Sequence, residues 1–371
     1  MSPGKGRAIR RPAFLYWGRR GPITGLARSL VAAGQSDGLE CFLSLSRHNP
    51  LTAGFSEIGE RLLPVSTFGR SHGAATGLVA MAFGQRRLVD DLRTHRVDAV
   101  VTLMSHVWSP FMAPRVRALG VPYAVIVHDA EGHPGDPTGL VNRWLLRDAM
   151  QADTVFTLSK ATARRLAETS RVDASRIVPL FHPDLLYGGF VPQERHAGEP
   201  FRVLFFGRML PYKGLGLFVK ALDLLAARGV AVTASVVGEG NIEPYRPALS
   251  RLGVSVDNRW VADDEVSGIF SRHDVVAATH LEASQSGIVA TALAHLRPVV
   301  VTPVGGLVEQ VADGQTGLVA QGLTGDAVAD SIERLATDTV LYRAMVRNIA
   351  ESASDRSAQA FLRQMLGSLA S

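Results

Sequence analysis

Along this chain, short apolar runs rich in Val, Ile, Leu and Phe alternate with longer stretches in which apolar residues recur at helical spacing. The pattern predicts strands over 13–17, 39–45, 99–103, 123–127 and 154–158, then over 202–206, 232–237, 275–278 and 298–302. Amphipathic helices are expected over 26–33 and 288–295, with further helical patterns from the turn Asp313-Gly-Gln-Thr-Gly317 to the end. Strand and helix alternating at this spacing imply crossover connections and parallel sheets. The runs fall into two sets, divided by a turn-rich stretch from Pro179 to Pro200 that carries Pro183, Gly188, Gly189, Pro192 and Gly198 and reads as an interdomain linker. The expected fold class is therefore α/β, with two Rossmann-like doubly wound domains facing a cleft. Residues 1–190 form the first domain and 191–371 the second, the last helix packing back on the first. Open parallel sheets bind ligands at the carboxyl ends of their strands, so the chemistry is expected there.

Composition narrows the class. With 371 residues, 46% of them hydrophobic, the chain exceeds the roughly 250 to 300 residues at which one core stops growing. The only cysteine, Cys41, leaves no internal disulfide framework and no Cys-rich zinc site, and fits a reducing, cytoplasmic setting. The apolar run that follows Arg10 and Arg11 imitates a signal peptide, but Gly18-Arg19-Arg20 ends it. No stretch approaches the roughly 20 apolar residues of a spanning helix, so no membrane crossing is expected. A net charge of +5 suits nucleic acid, an anionic bilayer or a pyrophosphate-bearing ligand. Without a basic helix interleaved with aromatics, a zinc finger or an RNA-binding signature, nucleic acid is not expected as a partner.

Two segments hold candidate chemistry. In Phe201-Arg-Val-Leu-Phe-Phe-Gly207-Arg208-Met-Leu-Pro-Tyr-Lys213-Gly214, an apolar strand ends in a glycine that lets a ligand approach the backbone. Two cations follow, Arg208 offering a fork and Lys213 a point charge for a diphosphate; the competing reading is a surface loop with ordinary cations. In His280-Leu-Glu282-Ala-Ser284-Gln285-Ser286-Gly287-Ile288, Ser284 or Ser286 is placed to cap a helix whose free N–H groups then point at an anion. Glu282 and Gln285 can accept from or donate to sugar hydroxyls, or are exposed loop residues.

These segments and those that follow are similar to the group 4 family of glycosyltransferases, which have the GT-B fold. The pieces come in the family's order: Gly207-Arg208 with Lys213-Gly214, Val236-Val-Gly238-Glu-Gly240, the Glu282 loop, Arg297-Pro-Val-Val-Val-Thr302, Val304-Gly-Gly306-Leu-Val-Glu309 and Asp313-Gly-Gln-Thr-Gly317. The resemblance covers most of the carboxyl half, with a fainter trace in the amino half. It implies that Arg208 and Lys213 hold the donor pyrophosphate, and that His128, at the end of the strand 123–127, faces the donor sugar. The family's two loop glutamates fall at Ala283 and Thr291 of this chain, so Glu282 stands one position early and only a hydroxyl is available at 291. The form Glu-Ala-Ser-Gln-Ser-Gly resembles a variant loop of bacterial exopolysaccharide enzymes, in which Ser284, Gln285, Ser286, Gly287 and Ile288 share the contacts to the substrate. The loop Gly18-Arg19-Arg20-Gly21-Pro22 resembles the family's flexible glycine-rich loop and brings Gly21 into the binding set; it lacks the spacing of a dinucleotide fingerprint.

The resemblance implies a retaining, metal-independent transferase that moves a hexose from a nucleotide diphosphate sugar, a co-substrate, to a glycan acceptor that is expected to be lipid-linked. No cofactor is expected. His128, Asp129 and His133 are possible metal ligands, but their spacing is that of a loop, and no metal is assigned. A sugar nucleotide epimerase of the same fold and a non-catalytic nucleotide-sugar binding subunit are the other readings. Lys5, Arg7, Arg10, Arg11, Arg19 and Arg20 add an expectation of peripheral attachment to the inner face of an anionic cytoplasmic membrane.

Overall fold

A computed structural model describes residues 8–19, 23–49, 52, 55, 58–59, 61–67, 78–131, 139–189 and 199–370. These fall into two compact units, one made of the described residues up to 181 together with 358–370, the other of 182–357.

The first unit contains strands β1 (Pro12–Tyr16), β2 (Phe42–Leu45), β3 (Ala99–Met104), β4 (Tyr123–Val127), β5 (Thr154–Thr157) and β6 (Ile177–Pro179). Its helices are α1 (Ile23–Ser36), α2 (Leu78–Thr94), α3 (Ser109–Arg117), α4 (Gly139–Gln151) and α5 (Lys160–Thr169). The strands pair in parallel in the order β2-β1-β3-β4-β5-β6. A parallel sheet is covered on both faces, and all five residues of β4 are buried accordingly.

The second unit contains β7 (Phe201–Phe206), β8 (Val232–Val237), β9 (Ser255–Asp257), β10 (Val275–Ala278), β11 (Val299–Val301) and β12 (Gly317–Val319). Between and after them run α6 (Leu215–Ala227), α7 (Arg246–Arg251), α8 (Asp263–Ser271), α9 (Gly287–Ala294), α10 (Leu307–Gln310), α11 (Gly325–Thr337) and α12 (Thr339–Glu351). These strands are also parallel, in the order β12-β11-β10-β7-β8-β9. Alternate residues feed two cores: Val203, Phe205, Val275 and Ala277 pack on one face of the sheet, Leu204, Val276 and Ala278 on the other. The final helix, α13 (Ala358–Ala370), packs on α1, where Arg363 reaches Asp37 at 2.8 Å.

The pattern-based strands at 123–127, 232–237 and 275–278 coincide with β4, β8 and β10. The run expected to start at 39 pairs only from Phe42, because Leu39 N–H donates back to Gly34 at the end of α1 and Glu40 N–H to Arg10. Three strands escaped the pattern, β6, β9 and β12, and all three lie at or form an edge of their sheet. Three-residue edges are too short for a period to register, and β6 can end in Pro179 because an edge tolerates a missing donor.

The stretch expected to be a linker is described over 179–189 and is structured there. It holds β6, and then Asp184 and Leu185 dock on the second unit: Asp184 N–H donates to the Arg356 carbonyl at 2.9 Å and its carboxylate pairs with the Arg356 guanidinium.

Candidate active site

In the second unit the chain runs from β7 outward to β8 and β9, then returns to the other side of β7 to lay down β10, β11 and β12. The sheet therefore changes direction between β7 and β10, the position where open α/β sheets hold their ligands. The two loops that leave these strands at their carboxyl ends are 207–214 and 279–286, the segments that carry the candidate chemistry.

The loops are locked together by backbone contacts. Leu281 N–H donates to the Tyr212 carbonyl at 2.7 Å, and the Thr279 hydroxyl donates to the Gly214 carbonyl at 2.9 Å. Gly214 has φ +72°, and a Cβ there would lie 1.8 Å from the Thr279 carbonyl oxygen, so this closure requires glycine. Gly207, at φ +111°, faces Ile288 at the start of α9, whose Cδ1 would stand 2.9 Å from an added Cβ. Gly207 and Ile288 thus bring the β7 loop and the helix start into direct contact.

On this platform the Lys213 ammonium donates to Nε2 of His280 at 2.8 Å and lies 5.2 Å from the centre of the Tyr212 ring. Arg208 is exposed on the same loop. Glu282 is exposed, whereas Ala283 is buried, its carbonyl accepting from Gly306 N–H at 3.0 Å.

Ser286 occupies the N-cap position of α9, but the expected side-chain cap is not made. Instead Gln310 of α10 grips the cap residue's backbone: Ser286 N–H donates to its Oε1 at 2.7 Å and its Nε2 donates to the Ser286 carbonyl at 3.1 Å. Ser286 Oγ and Gln285 Oε1 are buried without hydrogen-bond partners among the described residues. Unsatisfied buried polar atoms at a helix N-terminus mark a place where a polar ligand gains hydrogen bonds. Thr291 bonds its hydroxyl to the Gly287 carbonyl at 2.7 Å, one turn back. Ser284 is half-buried in the approach to the helix.

Two further residues join this site without having stood out in the sequence. Gln310 follows Glu309 in a motif whose recognisable parts are its glycines and its acid. His182, held by a hydrogen bond between its Nδ1 and the Pro183 carbonyl at 2.9 Å, has Nε2 3.9 Å from the point a Cβ on Gly287 would occupy. Lying in the expected linker, it carried no local signal.

The first unit changes direction between β1 and β3. Around this sheet the titratable groups His128 and Asp148 are buried and His106 is half-buried, while Arg19, Asp129 and Glu131 beyond the strand ends are exposed. His128, just beyond β4, donates from Nε2 to the Leu103 carbonyl at 2.7 Å, and burial lowers its pKa. His106 stands edge-on between Trp17 and Trp108, and burial brings its pKa down to about 4. Asp148, on α4, accepts from the Tyr123 hydroxyl at 2.6 Å and the Ser105 hydroxyl at 2.7 Å, and burial raises its carboxyl to about 6. Gly21, Arg20 and His133 lie outside the described residues, as do Lys5 and Arg7. Among the described residues, no three His, Cys, Asp or Glu side chains are grouped to hold a metal ion, and no helix is long and apolar enough to cross a membrane.

Comparison with known proteins agrees with this arrangement. The family profile of glycosyl transferases group 1 matches residues 200–338, and that of the glycosyl transferase 4-like domain matches 23–180. The alpha-D-kanosaminyltransferase of Streptomyces kanamyceticus is 24% identical over 267 residues, 65% of this chain and 67% of that protein. The D-inositol 3-phosphate glycosyltransferase of Corynebacterium glutamicum is 31% identical over 157 residues, 39% of this chain and 38% of its own length. Among solved structures, Anabaena HepE in complex with UDP and glucose superposes with a TM-score of 0.71 at 18% identity, covering 98% of this chain and 100% of HepE. Sucrose-phosphate synthase from Thermosynechococcus elongatus gives 0.72 at 16% identity, covering 97% and 98%. With both sheets parallel and both halves matched, the chain belongs to the group 1 glycosyltransferases and has their GT-B fold.

Proposed function

We propose that this protein is a retaining, metal-independent hexosyltransferase that moves a sugar from a nucleotide diphosphate donor to a lipid-linked glycan acceptor in bacterial polysaccharide synthesis. The observation that carries the reading is the meeting of Lys213, Arg208 and the start of α9 at the β7/β10 switch point, with Ser286 Oγ and Gln285 Oε1 beside it and unsatisfied. In this reading the two cations and the free N–H groups of α9 stabilise the departing nucleoside diphosphate as its charge develops, a role that a divalent ion serves in other transferases. Glu282 and Ser284 contact the donor sugar, and His128 steadies the electron-poor anomeric carbon. The acceptor hydroxyl attacks from the face the nucleotide leaves, and its proton passes to the departing phosphate, so the anomeric configuration is kept. UDP and glucose in HepE, and the GDP-mannose dependence of a phosphatidylinositol monomannoside mannosyltransferase from Mycolicibacterium smegmatis that is 30% identical over 226 residues, support a nucleotide sugar as donor.

A panel of UDP, GDP and ADP sugars, read by thermal shift and by nucleotide release with added glycan acceptor, tests the reading. Stabilisation by one donor together with release of its nucleotide is expected. Stabilisation without release or sugar transfer identifies a binding subunit, and interconversion of the sugar at a ring carbon identifies an epimerase.

On the same reading the enzyme works as a peripheral protein at the inner face of the cytoplasmic membrane. Exposed Arg10 supports this, while Arg11 is paired with Glu40 at 2.8 Å and contributes little. Flotation with anionic vesicles is expected at low salt and lost at high salt; no flotation at either overturns the location alone.

A further inference from the structure

Resting on the diphosphate reading of this site, we infer that His280 is a positioning residue, which aims the Lys213 ammonium at the leaving diphosphate without neutralising it. A lysine on a loop has four rotatable bonds, and a site that relies on it as a point charge gains from fixing where the charge sits. A carboxylate partner would fix it but would also cancel the charge and compete with the ligand. A neutral imidazole does neither: its Nε2 lone pair takes one of the ammonium's three donors and leaves the full positive charge in place. The 2.8 Å contact between Lys213 Nζ and His280 Nε2 has this form, and with Nε2 accepting, the ring proton resides on Nδ1.

The residue that carries the imidazole is itself buried and anchored through its backbone. His280 is only 2% exposed, and its carbonyl accepts from the Thr302 hydroxyl at 2.5 Å, which ties it to the end of β11. On either side of it, Thr279 and Leu281 make the two hydrogen bonds that lock this loop to Gly214 and Tyr212, the residues flanking Lys213. The lysine and its histidine are thus carried by two loops that cannot shift independently. The Tyr212 ring, 6.3 Å from His280 and under the ammonium, limits the remaining freedom of the side chain.

Inorganic pyrophosphate, titrated calorimetrically, isolates the effect from the unidentified base and sugar. His280→Gln keeps an acceptor at about the reach of Nε2, whereas His280→Asn withdraws it by a methylene with the same chemistry. The asparagine variant is expected to bind pyrophosphate about tenfold more weakly and the glutamine variant within about threefold of the parent, the scale of one hydrogen bond to a charged group. In a Lys213→Ala background the asparagine change is expected to have no further effect, because its influence passes through the ammonium. Parent-like binding by His280→Asn, an equal loss in the Lys213→Ala background, or a folded His280→Gln as weak as His280→Asn overturns the inference. In the first two of these cases a weak Lys213→Ala single variant leaves the diphosphate site intact. If Lys213→Ala alone binds like the parent, the reading of the site falls, and this inference with it. Thermal unfolding of each variant separates lost binding from lost fold.

Discussion

Both units turn their sheet at a switch point, yet the groups they collect there are opposite in character. Between β7 and β10 the second unit assembles an ammonium, an exposed guanidinium and an uncapped helix start with polar atoms unsatisfied. Around the sheet of the first unit, burial lowers the pKa of His128 and His106 and raises that of Asp148, so each is pushed toward its uncharged form. The cations gather in the second unit, and the buried titratable groups of the first are disfavoured in their charged forms. The same topology thus supplies places and not functions; the residues put there decide what each place binds.

The sharpest way to break this contrast is to remove the cations. Lys213→Ala and Arg208→Ala are each expected to reduce transfer at least about a hundredfold, about 3 kcal/mol of leaving-group stabilisation, with unfolding midpoints little changed. Steady-state nucleotide release measures this, and undiminished rates in both variants would remove the anionic half of the comparison.

The neutral half is tested through Asp148. Its folded value of about 6, above 3.8, means that the folded protein holds this proton more tightly than the unfolded chain does. The associated stability is complete below about pH 3.8 and is lost as pH rises through about 6. Relative to Asp148→Asn, the parent protein is therefore expected to lose roughly 2 to 3 kcal/mol between pH 4 and pH 6.5, followed by urea denaturation. Parallel curves for the two proteins would show that the carboxyl ionises as freely folded as unfolded.

A smaller effect is expected at His128, whose ring the proposed mechanism sets beside the developing positive centre and away from the diphosphate. His128→Ala should lower kcat about tenfold while leaving pyrophosphate affinity unchanged. A loss of pyrophosphate affinity instead would merge the two surfaces that the comparison keeps apart. The smallest expected effect is none: in the proposed mechanism Arg208 and Lys213 provide the counter-charge, so chelation with EDTA should leave the rate as it was. A loss restored by magnesium or manganese would transfer that role to a bound ion.

Much of this protein was legible in its sequence, and the reason is local. Strands buried on both faces must be continuous apolar runs, so β4 and β10 could be bounded from composition alone. Gly207, Lys213 and Gly214 sit between a strand and a helix whose signals are strong on each side, so their place at a carboxyl end followed from position in the chain. Short edges gave no such signal, and neither did the docking of residues 182–189, whose turn-rich composition resembles a linker until Asp184 finds Arg356.

What only the tertiary structure decided is which segments meet. The order β10-β7 makes neighbours of strands far apart in the chain, and from it comes the contact of His280 with Lys213, while packing around the start of α9 brings Gln310 to Ser286 and His182 to Gly287. It also turned expected local contacts elsewhere: Ser286, well placed by its chain position to cap α9, leaves its hydroxyl unpartnered because Gln310 already holds its backbone. Spacing along a chain constrains what a residue does with its own helix or strand. A hydrogen bond between loops depends on strand order and register, and these are fixed by packing of whole sheets, which no short stretch of sequence encodes.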